Sequence, residues 1–275
     1  MLSCLPVSLF SEINSGRMAP EAWACYAAQL GLDAYDISIL FVRDRTPSGL
    51  KKLRNALETS GLPLAMVAAY PDFSNPDPVV FEKELIRSLS DISVAAELGG
   101  HYVRITAGQE YPGADLNRQL DHICLAFSVC AEYAEKWNIQ LLWENHSKPG
   151  AWEQPDFNYD PAKLDAMLQR LRGGPVKMNY DIANAMLLGR GLDFLETCFP
   201  EIASVHINDV ASVDPIRFAG VGDGTAPISE TIGWLVSNGY RGLFSIEEAS
   251  GHGLEGIEKY VLVTKRLLSS AECTW

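Results

Sequence analysis

Four residues of the kinds that hold metal ions and move protons stand near the ends of short apolar stretches in the second half of the chain: Glu144, Asp181, His206 and Glu247. A strand turns successive side chains to opposite faces, so the apolar positions show where the polar ones point. Leu141 and Trp143 set one face of their stretch, which puts Leu142 and Glu144 on the other. Val176, Met178 and Tyr180 put Lys177, Asn179 and Asp181 on the other. Val205 and Ile207 do the same for Ser204, His206 and Asn208, and Phe244 and Ile246 for Ser245 and Glu247. Glu248 shares the face of Ile246 and is expected at a rim. Three carboxylates and an imidazole at one place need a counter-cation, because like charges that close cannot all stay ionised. A divalent metal supplies that charge, and this donor set suits Mn, Mg, Co or Zn without choosing among them. Singly, each residue is ordinary: a lone aspartate at a strand end commonly caps a helix. Four with matching parity point to a metal centre.

The elements that must position these residues alternate from end to end. Apolar stretches at 4–10, 34–40, 64–70, 102–107, 140–144, 176–181, 204–208 and 243–247 read as strands. Amphipathic stretches at 20–30, 49–60, 78–98, 116–137, 161–171, 193–199, 228–238 and 254–269 read as helices, several closed by a glycine as in Leu98-Gly99. Eight strands alternating with eight helices predict a parallel sheet with helices outside. Over 275 residues this closes one (β/α)8 barrel, a single domain spanning 1–275. In such a barrel the chemistry sits at the C-terminal ends of the strands, where the four residues fall. An open doubly wound sheet is the competing fold. It wants a glycine-rich phosphate loop after the first strand, where Leu9-Phe10-Ser11-Glu12 stands instead.

Composition excludes several functions. A formal net charge of −13 repels phosphate backbones, so nucleic acid is not an expected partner. No apolar run is long enough to cross a bilayer. The apolar start lacks a basic segment and a small-residue cleavage site, so it reads as a first strand and not a signal peptide. The six cysteines, Cys4, Cys25, Cys124, Cys130, Cys198 and Cys273, form no CxxC pair. They read as reduced thiols of a cytoplasmic protein.

The motifs Trp143-Glu144-Asn145-His146, Asn179-Tyr180-Asp181-Ile182-Ala183-Asn184, Val205-His206-Ile207-Asn208-Asp209 and Ser245-Ile246-Glu247 occur in that order. In order and spacing the chain resembles the xylose isomerase-like superfamily of sugar isomerases and epimerases, which also contains endonuclease IV-type enzymes. The resemblance implies that Glu144, Asp181, His206 and Glu247 are metal ligands and that Glu144 and Glu247 form the acid/base pair. Asn184 stands where many relatives carry a histidine, and Asn208 where a lysine is common. The implied substrate is a small sugar or sugar phosphate, bound through its carbonyl and adjacent hydroxyl. One glutamate removes the carbon-bound proton and the other returns a proton to the opposite face, giving epimerisation through an enediolate. Return to the neighbouring carbon gives aldose–ketose isomerisation, and loss of a β-hydroxyl gives dehydration of the inosose or dehydroshikimate type. A sugar-binding relative without turnover is the alternative outside enzymology. Five histidines and the acidic charge argue against the endonuclease reading. Homo-oligomers are common among such barrels.

Softer candidates surround these. His146 shares the inward parity of Glu144, and Asn184 can bond a substrate hydroxyl; both are expected to contact substrate or support the site. Arg217, after the seventh strand, is a candidate for a substrate oxygen or phosphate, although surface arginines are commoner. Asp209 reads as a turn or supporting residue. The run Gly220-Val221-Gly222-Asp223-Gly224 reads as an active-site loop and only weakly as a phosphate cradle. Phe10 and Tyr70 are placed to wall the pocket, His101 and His122 read as structural, and no motif supports His252.

Overall fold

Eight strands run parallel in the order β1, β10, β7, β6, β5, β4, β3, β2. They are β1 (Leu2–Leu5), β2 (Tyr35–Ser38), β3 (Leu64–Ala68), β4 (Tyr102–Ile105), β5 (Gln140–Glu144), β6 (Lys177–Asp181), β7 (Ile202–Ile207) and β10 (Leu243–Glu247). The seam between β1 and β2 is drawn together by Leu2, whose carbonyl accepts from the amides of Asp33 and Ala34 at 3.0 and 3.3 Å. The sheet is therefore a nearly closed barrel, as the alternation predicts. This computed structural model describes residues 1–147, 152 and 154–272; Cys273 lies outside the described residues.

Helices ring the barrel: α2 (Pro20–Gln29), α3 (Pro47–Glu58), α4 (Pro78–Glu97), α5 (Leu116–Glu135), α6 (Pro161–Leu171), α8 (Leu192–Cys198), α9 (Ile228–Ser237) and α10 (Gly253–Glu272). Their starts are written locally. Proline occupies the first turn of α2, α3, α4 and α6, where a missing N–H costs nothing. Asp77, Asp115 and Asp160 accept from the amides of Val79, Arg118 and Ala162 at 2.8 Å each, satisfying donors the first turn leaves open. Gly99 follows α4 with φ of +84°, a conformation that spares it a Cβ clash.

Three local features depart from the expectation. The first strand ends at Leu5 instead of position 10. Pro6 has no N–H for the ladder, and the chain turns into a 3-10 turn at Val7–Leu9 and then α1 (Phe10–Ser15). A second short helix, α7 (Ile182–Leu187), starts directly at the end of β6. An antiparallel hairpin of β8 (Asp209–Val213) and β9 (Ile216–Ala219) follows β7, where only a loop was expected.

The core has two compartments. Side chains pointing out from the strands join the helices in one large cluster that includes Trp23, Phe127, Trp143, Met178 and Ile246. Inside the barrel Ala34, Ala65, Met66, Leu142 and Leu243 form a small apolar floor. Above that floor the interior turns polar, with Ser3, Asp36, Arg104, Asn179 and Ser245 all 1% exposed or less.

Candidate active site

Glu144 ends β5, fully buried, with both carboxylate oxygens engaged. Arg104 Nε, from β4, stands 2.8 Å from Oε2. Asn179 Nδ2 donates to the same oxygen at 3.2 Å, and Asn184 Nδ2 donates to Oε1 at 3.2 Å. His206, on β7, brings Nδ1 to 3.5 Å of Oε2. Glu247, ending β10, completes a buried trio: Glu144, His206 and Glu247 each offer one ligand atom, all within 4.8 Å of one another. The strand parity expected for these residues is thus the parity observed.

Asp181 stands beside this trio and not within it. Its Oδ1 accepts from the Asn184 amide at 2.6 Å and caps α7, and its Oδ2 accepts from Asn208 Nδ2 at 2.8 Å. The same Asn208 amide group donates to Glu247 Oε2 at 2.9 Å, so one side chain ties the two carboxylates together. Asn208 Oδ1 in turn accepts from the Ala183 amide at 3.1 Å. Asn145 secures the strand ends below: its Oδ1 accepts from the Asp181 amide at 2.8 Å and its Nδ2 donates to the Asp181 carbonyl at 3.0 Å.

Deeper in the barrel lies a further carboxyl. Asp36 Oδ2 accepts from Ser3 Oγ at 2.7 Å and Ser245 Oγ at 2.6 Å. Burial pushes its pKa up to about 6, against those hydroxyls and the nearby Arg104 charge, which pull it down. Arg104 itself lies over the Tyr70 ring, 4.9 Å from its centre. Burial would lower the Arg104 pKa, but Glu144 and Tyr70 hold it above its ordinary value.

The remaining candidates separate. His146 is buried, and its Nδ1 lies 2.8 Å from Asp156 Oδ2, which also receives Trp152 Nε1 at 3.3 Å. Burial raises the Asp156 pKa, partly offset by His146. Arg217 sits on the exposed face of β9 and donates from Nε to Ser212 Oγ at 3.1 Å, away from the trio's contacts. Phe10 packs edge-on against Phe41 at 5.1 Å. His122 stacks near Phe81 at 4.9 Å, His101 is exposed at the start of β4, and His252 is exposed in the last loop. Glu248, the residue after β10, is buried, and its Oε1 accepts from the Ser250 amide at 3.0 Å.

Asp209 fills the loop that follows the hairpin. Its carboxylate accepts from the amides of Val210, Gly222, Gly224 and Ala226 at 2.9 to 3.0 Å. Those N–H groups are the ones a phosphate would need, and an internal anion already takes them, so the glycine run is no phosphate cradle. Gly224 passes so close that an added Cβ would lie 2.2 Å from Asp209 Oδ1.

A family model described as xylose isomerase-like TIM barrel matches residues 25–266. The chain belongs to that family. Among curated members, a xylose isomerase of Brucella ovis is 29% identical over 125 residues, 44% of this chain. The match spans only 29% of that enzyme's length. Solved structures of like fold include an L-ribulose 3-epimerase (TM-score 0.78, 15% identity, 99% of this chain and 96% of that one). A D-tagatose 3-epimerase-like protein follows with 0.77, 18%, 99% and 98%. The probable 3-DHS dehydratase AsbF of Bacillus anthracis gives 0.76, 15%, 96% and 98%. At these identities the likeness shows the fold alone.

Within this xylose isomerase-like barrel the donor set fits a divalent cation. Two carboxylates and an imidazole meet in a buried place, and four buried carboxyls, Asp36, Glu144, Asp181 and Glu247, share the barrel with one buried guanidinium. The excess of negative charge is what a metal would balance. Sequence reasoning missed three members of the site. Asn208 and Asn179 have the inward parity of His206 and Asp181 but were given no role. Arg104 was signalled by a lone charge between Val103 and Ile105. Among the described residues no helix is long and apolar enough to cross a membrane. Cys4, Cys130 and Cys198 are buried in the packing, and burial pushes the Cys130 and Cys198 thiols up to about 12 and Cys4 well up.

Proposed function

We propose that the protein is a divalent-metal-dependent isomerase or epimerase of a sugar or sugar phosphate. The observation that carries this reading is the buried meeting of Glu144, His206 and Glu247 within 4.8 Å. These three, with adjoining Asp181 as fourth donor, would hold the metal. When bound, such an ion acts as a Lewis acid, drawing charge onto the substrate's carbonyl and hydroxyl oxygens and acidifying the C–H between them. Glu144 is fixed for proton work by Arg104 and Asn179 on one oxygen and Asn184 on the other. Glu247 is oriented by Asn208. One carboxylate takes the proton from carbon, and the other supplies one from the opposite side. Burial of both limits quenching of the enediolate by bulk water during a turnover, while the carboxyl protons exchange with solvent between turnovers. We assign contacts with substrate hydroxyls to His146, turned by Asp156, and to Asn184. We assign contact with an anionic substituent to Arg217 on the rim hairpin.

The test pairs metal analysis with exchange in deuterated water. A panel of aldoses, ketoses, their phosphates and cyclic keto-alcohols is incubated with the metal-loaded protein. Deuterium entering the carbon next to the carbonyl, lost on chelation and restored by Mn²⁺ or Co²⁺, is the expected result. No exchange with any member would refute the reading. Water loss as the main reaction would reassign the site to a dehydratase.

A further inference from the structure

Arg104 is out of place in a barrel interior. It stands mid-strand, between two apolar residues, and is 1% exposed. Among the described residues it is the one lysine or arginine that is buried. A long cation there is costly unless its partners repay the lost hydration. Those partners are specific. Nε meets Glu144 Oε2 at 2.8 Å, the guanidinium covers the Tyr70 ring, and Nη1 reaches the Ala69 carbonyl at 3.5 Å. The carboxylate it holds is a member of the metal-binding trio, and His206 approaches the same oxygen. A fixed positive charge and a divalent cation would therefore share one glutamate. Arginine suits this role because its charge is permanent and its planar fork fixes direction.

We infer that Arg104 is a positioning residue that locks the Glu144 carboxylate and, as a resident counter-cation, limits how tightly the site takes a divalent metal. The inference rests on the metal reading of the trio. It also says what keeps the barrel folded before metal arrives: one of the interior carboxylates is already matched. A purely structural ion pair would affect stability but leave metal affinity where it was.

The test uses Arg104→Met, which removes the charge, Arg104→Gln, which keeps a donor without it, and Arg104→Lys, which keeps the charge. Mn²⁺ affinity is measured at pH 8 by competition with a chromogenic chelator, and melting is followed with chelator and with Mn²⁺. Removing a like charge from beside a shared ligand should tighten Mn²⁺ binding at least about tenfold in the Met and Gln variants. Arg104→Lys should stay within about threefold of wild type. Melting temperature should rise more on Mn²⁺ addition in the neutral variants than in wild type, while kcat falls in both. Equal or weaker Mn²⁺ binding in the neutral variants would overturn the inference. So would their failure to fold with Mn²⁺ present, since the metal could then not replace the guanidinium. Absence of Mn²⁺ binding in wild type and every variant is a different result: it removes the metal reading itself.

Discussion

Glu144→Gln and Glu247→Gln remove the same chemical group from the two sides of the trio, yet their surroundings predict unequal effects on stability. In Glu144→Gln the Arg104 guanidinium, 1% exposed and 2.8 Å from the lost charge, keeps a neutral partner. The amide must also present one donor to donors: oxygen toward Arg104 and Asn179 leaves NH2 facing Asn184 Nδ2, 3.2 Å away. Breaking one partner of a buried pair costs about 3–5 kcal/mol. For a domain of this size each kcal/mol moves Tm by roughly 2–4 °C, so a fall of about 10 °C is expected. Glu247→Gln removes one of the two carboxylates that meet within 4.8 Å, and with it the repulsion between them. Its amide oxygen can still accept from Asn208 Nδ2. Metal-free Glu247→Gln should melt within about 3 °C of wild type or above it. Both variants should lose about 10²–10⁴-fold in proton exchange with metal present, the usual worth of a positioned acid or base. Calorimetry in chelator and exchange measured by NMR separate the two effects. Equal melting temperatures for the two variants would refute the charge pairing described here. Full exchange activity in both would refute their role in proton transfer.

Other expectations follow from the same geometry. Asp36 titrates near 6 in the folded chain and near 4 in the unfolded one, so the folded state binds the extra proton between those values. Stability from this group therefore falls as pH rises from 4 through 6, by about 3 kcal/mol in all; Asp36→Asn should flatten that part of the Tm–pH curve, and an unchanged slope would refute the assignment. Asp209→Ala orphans four loop amides, and about 3 kcal/mol of stability should go; hydrogen exchange should show Gly222, Gly224 and Ala226 losing protection, and retained protection would count against the role. Gly220→Ala places a methyl 1.8 Å from Tyr260 Cζ, so it should lower Tm by several degrees in a thermal melt, more than Gly233→Ala, which meets nothing within 4 Å. Cys4, Cys130 and Cys198 should react with a thiol reagent only on unfolding, whereas rapid labelling of the native protein at those positions would show them accessible.

The parts of this fold that were legible in sequence are those where a physical rule acts locally. Outward Val205 and Ile207 or Phe244 and Ile246 fix which way His206 and Glu247 point, because a strand permits two faces only. Parity also turned Asp181 inward, as observed, but parity alone does not show that one of its oxygens caps α7 and the other accepts from Asn208. The hairpin at β8 and β9 escaped because two of the five residues of β8 are exposed and the strand carries no steady apolar rhythm. The first strand was read too long because apolar residues continue past Pro6 into α1, where they pack as helix. Asp36 and Arg104 were visible as letters, but a charge buried inside a barrel becomes meaningful only once its partners, on distant strands, are known.

The Asp209 carboxylate has a consequence for how the rim can vary. It grips Val210 on one side and Gly222, Gly224 and Ala226 on the other, so the excursion of 211–219 leaves and rejoins the barrel at one clamp. Whatever is written between those two fixed ends cannot pull on His206 below. Residues 211–219 thus behave as an interchangeable cassette: a differently shaped hairpin could be spliced in to reshape what the mouth admits while the chemistry beneath stays as it was.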